Sequence, residues 1–192
     1  MKKILKFLGF ALIGFAALVG VGLVVCSWRP GDIHERAEEL RAYCEAGGYN
    51  VDYAILVDYG RVSVQKRLYV YDFNRRKVVM QSLAGHGSGG ESTILKADFS
   101  DVPGSHCSSL GHYRVGRNRR MYNRPLVPAF ELIGLDKTNA NALDRGILIH
   151  PSAGPLSWGC VTLPLDKYHQ LSEFLNTQSD VILWAYDNMF DN

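Results

Sequence analysis

From Phe7 to Trp28 the chain carries no charged side chain, and Lys2, Lys3 and Lys6 stand in front of that stretch. A helix of this length rises about 33 Å, enough to cross a hydrocarbon layer of roughly 30 Å. The pattern therefore predicts a membrane helix within residues 1–30, with the lysine end in the cytoplasm and the remainder outside. A cleaved signal peptide is the competing reading, because Val25-Cys26-Ser27 would pass as a cleavage site; the apolar run exceeds the usual ~7–15-residue signal core. Arg29-Pro30-Gly31 ends the run. Asp32 and Glu35 then have the spacing of a capping box, and Ile33, Ala37, Leu40 and Cys44 recur at helical period up to Gly47-Gly48. That predicts an amphipathic linking helix over 31–50.

Beyond residue 51 the period shortens. Residues 53–59 and 66–73 read as strands rich in aromatic and β-branched side chains, Asn74-Arg75-Arg76 as a turn, and 77–83 as the returning strand. Residues 84–90 (Ala-Gly-His-Gly-Ser-Gly-Gly) form a glycine-rich loop, and 99–105 is turn chemistry. A short strand follows around 112–115, then strand-like segments at 126–135 and 147–149. Residues 136–146 make a polar connection. Leu165, Tyr168, Leu171, Phe174 and Leu175 define one face of a helix over 165–175, and 180–186 reads as a closing strand. Strands that follow one another without intervening helices predict a β meander, which excludes a parallel nucleotide-binding sheet.

Composition changes this picture little. The net charge of +2 comes from the N-terminal lysines: without those three, 18 basic residues face 19 acidic ones. A nearly neutral globule of this kind gives no footing for nucleic acid. The one dense basic cluster, Arg117, Arg119, Arg120 and Arg124, reads as a solvated loop. If residues 51–192 face an oxidising compartment, Cys44 and Cys107 could pair as a disulfide or stay as two buried thiols.

The chemistry concentrates at Ile149-His150 and, ten residues on, Ser157-Trp158-Gly159-Cys160. Attack by cysteine on a carbonyl needs a thiolate, an imidazole to make it, and backbone N–H groups for the oxyanion. A glycine before the thiol lets a carbonyl approach the chain. His150 and Cys160 meet those needs at the ends of neighbouring strands, and a core histidine with a buried thiol is the bland alternative. His86, His150 and Cys160 are also donors of the right kind for zinc, but no Cys-x-x-Cys or His-x-x-x-His spacing accompanies them, so no metal and no cofactor is expected. The 84–90 loop lacks the Lys-Ser/Thr ending of a phosphate-binding P-loop.

Three segments taken in order resemble one family: Gly104-Ser105 … Ser108-Ser109-Leu110-Gly111-His112-Tyr113, then Ile133-Gly134-Leu135 … Asn139-Ala140-Asn141, then Ile149-His150 … Ser157-Trp158-Gly159-Cys160. They resemble the YkuD-type L,D-transpeptidase catalytic domain, in its branch with a Ser-Trp-Gly-Cys motif, over about residues 54–186. The resemblance implies a mainly β sandwich or barrel over 51–192, behind the membrane segment, on the outer face of a bacterial inner membrane. It implies a cysteine acyl transferase acting on peptidoglycan stem peptides. Cys160 would be the nucleophile, His150 the base, and the N–H of Cys160, helped by Gly159, the oxyanion donor. His86, Ser109, Tyr113, Ser157 and Trp158 would contact substrate, and His106, His112 and His169 would be surface or packing histidines.

Relatives commonly orient the histidine through the next backbone carbonyl, which here belongs to Pro151. They also often carry a longer insertion before the nucleophile, and Thr162 stands where many place Arg or Asn. The short spacing implies a more open cleft that favours water or a bulky acceptor. An L,D-carboxypeptidase or amide hydrolase, and a catalytically silent wall-binding module, are the alternative functions.

Overall fold

The computed structural model describes residues 33–121 and 124–188. The predicted membrane segment lies outside them, and among the described residues no helix is long and apolar enough to cross a membrane. Helix α1 (Ile33–Gly47) buries Ala37, Leu40 and Cys44, the periodic positions of the sequence. Ten strands follow: β1 (Tyr53–Asp58), β2 (Leu68–Asp72), β3 (Lys77–Ser82), β4 (His86–Gly87), β5 (Gly111–Met121), β6 (Arg124–Gly134), β7 (Leu148–Pro151), β8 (Leu156–Ser157), β9 (Val161–Leu163) and β10 (Ile182–Tyr186). Helix α2 (Leu165–Leu175) lies between the last two.

Eight strands form one sheet in the order β3-β2-β1-β10-β5-β6-β7-β9, and β4 pairs with β8 beside it. The predicted meander holds for β1-β2-β3 and β5-β6-β7, whereas β1–β10, β7–β9 and β4–β8 pair parallel. Two packed sheets of a sandwich are not what forms. The chain leaving β3 returns to the far edge instead, where the Gly85 N–H donates to the Thr162 carbonyl at 2.8 Å, so the sheet nearly closes on itself.

Strands β1, β2 and β10 are buried on both faces, which explains their unbroken apolar runs. Ile55, Val57, Leu68, Val70, Leu183 and Ala185 face the main core with Tyr168, Leu171 and Leu175 of α2. Leu165, assigned by its spacing to the same helix face, is instead exposed at the first turn. Helix α1 covers the opposite face. There Tyr43 stacks on His112 at 3.8 Å, His112 on Trp184 at 5.1 Å, and the Arg36 guanidinium lies 5.4 Å from the Trp184 ring centre. His112 also contacts Asp136 at 2.9 Å, so it is a packing histidine, as expected.

Arg117, Arg119, Arg120 and Arg124 do not lie in a loop. They stand on β5 and β6, where Arg119 pairs with Glu131 at 2.7 Å. Pro125 and Pro128 are tolerated in β6 because β7 reaches only Phe130 and Glu131, which leaves the outer part of that edge without a ladder to break. Cys44 and Cys107 are separate buried thiols, not a disulfide; burial in α1 pushes the Cys44 thiol up to about 12.

Candidate active site

Strands β7 and β9 bring the sequence pair together. They run parallel with His150 opposite Thr162, and Ile149, Val161 and Leu163 enter the main core. By strand alternation Cys160, two residues before Thr162, projects from the His150 face. It packs there with Leu148 and Ala129, apart from the main core. Both site residues are nearly covered, His150 at 7% and Cys160 at 8% exposure.

The His150 ring is oriented as the resemblance implied, with Nδ1 3.0 Å from the Pro151 carbonyl. A carbonyl only accepts, so Nδ1 carries a proton, and in the neutral ring Nε2 is the nitrogen with the lone pair. Burial pushes the Cys160 thiol up; a hydrogen bond from the Leu148 backbone and the Arg145 charge oppose it. The thiol lies 3.8 Å from the Gly146 carbonyl, a contact that suits S–H rather than S⁻.

The turn before Cys160 is built by Ser157. Its hydroxyl donates to the Cys160 carbonyl at 2.7 Å and accepts the Gly159 N–H at 3.2 Å. Gly159's own N–H is thus engaged in the turn, and its contribution is conformational. It sits at φ +109, and a Cβ there would lie 2.8 Å from the Cys107 carbonyl oxygen. Gly159→Ala is expected to cost about 1–3 kcal/mol in backbone strain alone and to slow acylation of Cys160 at least ~10-fold as the turn shifts. Thermal unfolding and intact-mass labelling measure the two effects separately. A variant that labels at the wild-type rate would show that the turn tolerates the shift.

The glycine-rich loop and the Ser-Ser-Leu-Gly segment converge on this turn. The Ser88 N–H donates to the Ser157 carbonyl at 2.8 Å. Ser108 accepts from the Gly87 N–H at 2.9 Å and donates to the Gly159 carbonyl at 3.1 Å. Ser108 is therefore the hydroxyl that joins the three segments, not Ser109. Ser109 and Tyr113 are interior instead: their hydroxyls are 2.8 Å apart, and the Tyr113 hydroxyl donates to the Ser109 carbonyl at 2.7 Å. Both are occupied in supporting the segment. Trp158 is the outward-facing member, 70% exposed and stacked on the His106 ring at 4.9 Å.

His86 does not line a cleft. It is fully buried, with Nδ1 2.6 Å from Arg67 Nη2. Arginine only donates, so Nδ1 must be the unprotonated nitrogen. Burial, and after it the Arg67 charge, lowers its pKa from 6.5 to about 4. The unfolded chain therefore binds a proton near pH 6.5 that the folded chain refuses until about pH 4. Stability is full above the higher value and falls by about 3 kcal/mol as pH drops between them. Urea unfolding at several pH values should show that slope in the wild type, and a flatter one in His86→Asn. An unchanged slope would place the titrating group elsewhere.

No group of three or more metal-ligating side chains occurs among the described residues. Sequence reasoning missed Ser108, Arg145 and Arg67. Ser108 stood inside a quoted motif, beside the serine chosen in its place. Arg145 carried no sequence signal, since it sits in a polar connection, and Arg67, at the start of the predicted strand 66–73, follows Gln65 and Lys66 and reads as one more solvated charge.

Comparison with known proteins places the chain in a family. The L,D-transpeptidase catalytic domain pattern matches residues 32–186, and the chain belongs to that family. Solved structures similar to it include an L,D-transpeptidase from Xylanimonas cellulosilytica (16% identity, TM-score 0.46, covering 76% of this chain and 68% of that one). Others are Bd1075 of Bdellovibrio bacteriovorus (19%, 0.48, 73% and 49%) and an L,D-transpeptidase from Mycobacterium smegmatis (10%, 0.42, 70% and 58%). The chain thus spans only about half to two-thirds of the length of these proteins. A comparison with curated protein sequences finds no match.

Proposed function

We propose that the protein is a thiol acyl transferase acting on peptidoglycan stem peptides from the outer face of the membrane, to which residues 1–30 anchor it. The observation that supports this reading is the parallel β7–β9 pairing, with Cys160 just before β9 packed against Leu148, two residues before His150 on β7. His150 Nε2 takes the thiol proton as sulfur attacks the carbonyl between the third stem residue and its terminal D-alanine. The Cys160 N–H faces the developing oxyanion. His150 then protonates the departing amine, D-alanine leaves and a thioester remains. An amine of a second stem, with its proton removed by His150, replaces sulfur and restores the thiol.

Hydrolysis of the same thioester would make the protein an L,D-carboxypeptidase. The short connection favours this second reading: only nine residues separate His150 from Cys160, and β8 among them is spent on pairing with β4. The test is incubation of the full-length protein with tetrapeptide muropeptides, with products separated by mass. D-alanine release with cross-linked dimers supports transfer, and release with tripeptide alone supports hydrolysis. Intact substrate beside folded protein would sink both readings.

A further inference from the structure

Arg145 ends the connection that the sequence presents as polar and solvated, yet its side chain is only 4% exposed. Its guanidinium is spent on a single stretch of chain. Nη1 donates to the Ser100 carbonyl at 2.9 Å, to Asp101 Oδ1 at 3.2 Å and to Ser109 Oγ at 3.4 Å. Nη2 donates to the Cys107 carbonyl at 2.6 Å and to Ser105 Oγ at 3.5 Å. Five acceptors within residues 100–109 are gathered by one planar fork. A lysine ammonium, with three donors radiating from a point, does not reproduce that geometry.

What is gathered borders the nucleophile turn. Within the same stretch Ser108 donates to the Gly159 carbonyl. The Cys107 carbonyl that Arg145 holds is the atom a Cβ at Gly159 would strike, and Nη2 would lie 3.2 Å from that Cβ. On the other side, the residue after Arg145 is Gly146, at φ +67, whose carbonyl faces the Cys160 sulfur. One side chain thus fixes the floor beneath Gly159, and its own backbone forms part of the wall beside the thiol.

We propose that Arg145 is a positioning residue for Cys160: its guanidinium holds residues 100–109 against the nucleophile turn. The proposal rests on the acyl-transfer reading for its purpose but not for its geometry. The charged and titratable groups set against the thiol are Arg145 and, from the end of β1, Tyr59, with His150 on the neighbouring strand β7 and Asp101 paired to Arg145 at 3.2 Å. Asp101 offsets part of the arginine's charge. The two residues should therefore move the thiol in opposite directions.

The experiment measures iodoacetamide alkylation of Cys160 against pH in the full-length protein, read at that residue by peptide mass spectrometry, alongside carbapenem acylation at pH 7. In Arg145→Gln the alkylation midpoint should rise by about one pH unit, and acylation should slow at least ~10-fold. In Arg145→Lys the midpoint should stay near wild type while acylation is still slowed, because charge is kept and the fork lost. In Asp101→Asn the midpoint should fall. The last variant keeps a polar side chain in place, so it carries the test if Arg145→Gln fails to fold. Folded Arg145→Gln with wild-type midpoint and rate overturns the proposal, as does an unmoved midpoint in Asp101→Asn. Alkylation needs no stem peptide. Shifted midpoints in a protein inert toward muropeptides would refute the proposed function and leave the role of Arg145 standing.

Discussion

Replacing Cys160 with alanine should abolish turnover and remove every covalent adduct. The full-length wild type treated with a carbapenem should gain one inhibitor mass, located on the peptide containing Cys160. The Cys160→Ala protein should gain none. The other cysteines of the described chain are poor competitors: Cys44 and Cys107 are buried, and burial holds the Cys44 thiol near 12. Cys160 is just as covered, so its selectivity has to come from its setting. His150 stands on the neighbouring strand with its ring oriented by the Pro151 carbonyl, and Arg145 supplies a positive charge nearby. Loss of the nucleophile removes the covalent route entirely, and residual catalysis from orientation alone should leave the rate down by more than about 10⁴. Folding should be little affected, because Cys→Ala removes one sulfur atom from a small cluster with Leu148 and Ala129 and opens little volume. Wild type that stays unlabelled while correctly folded would point to the silent wall-binding module.

Much of this arrangement was legible in the sequence, and the exceptions share a cause. Strands β1 and β2 announce themselves as apolar, aromatic runs, and the two helices by local period. The β5–β6 hairpin does not. Its strands extend past the neighbouring β7, and Arg117, Asn118 and Arg119 are exposed there, so a backbone ladder and not an apolar pattern defines them. The parallel pairing of β1 with β10 joins residues more than a hundred positions apart and leaves no local trace. At the site, the sequence singles out His150, Gly159 and Cys160 because cysteine chemistry asks for those residue types in that order. His86 was expected beside the substrate through the family resemblance. Only the tertiary structure shows Arg67 already occupying its ring nitrogen. The same holds for Arg145. A charged residue among polar neighbours looks solvated until the partners that bury it are known.

That buried cation sets the second large effect. Arg67 is 1% exposed, and its hydrogen-bond partners are all neutral: the carbonyls of Ala84 and Arg61, Ser63 Oγ and His86 Nδ1. It also lies 5.0 Å from the Tyr59 ring centre. Arg67 stands where β1, β2 and the glycine-rich loop meet, so it fastens that loop to the sheet. Arg67→Met would fill most of the same volume but leave two carbonyls without this donor, and leave Ser63 Oγ and His86 Nδ1 with only their mutual 3.2 Å contact in its place. Each buried orphan costs about 1–3 kcal/mol, partly relieved by relaxation, and a net loss of about 3–5 kcal/mol is expected. For a domain of this size that is a fall in melting temperature of roughly 10 °C or more. Adding His86→Leu to Arg67→Met removes one of the orphans, so the double variant should lose less than the two single losses combined. Calorimetry on the four proteins reads this coupling directly. Strict additivity would mean that the 2.6 Å contact between the two side chains contributes nothing to holding the loop.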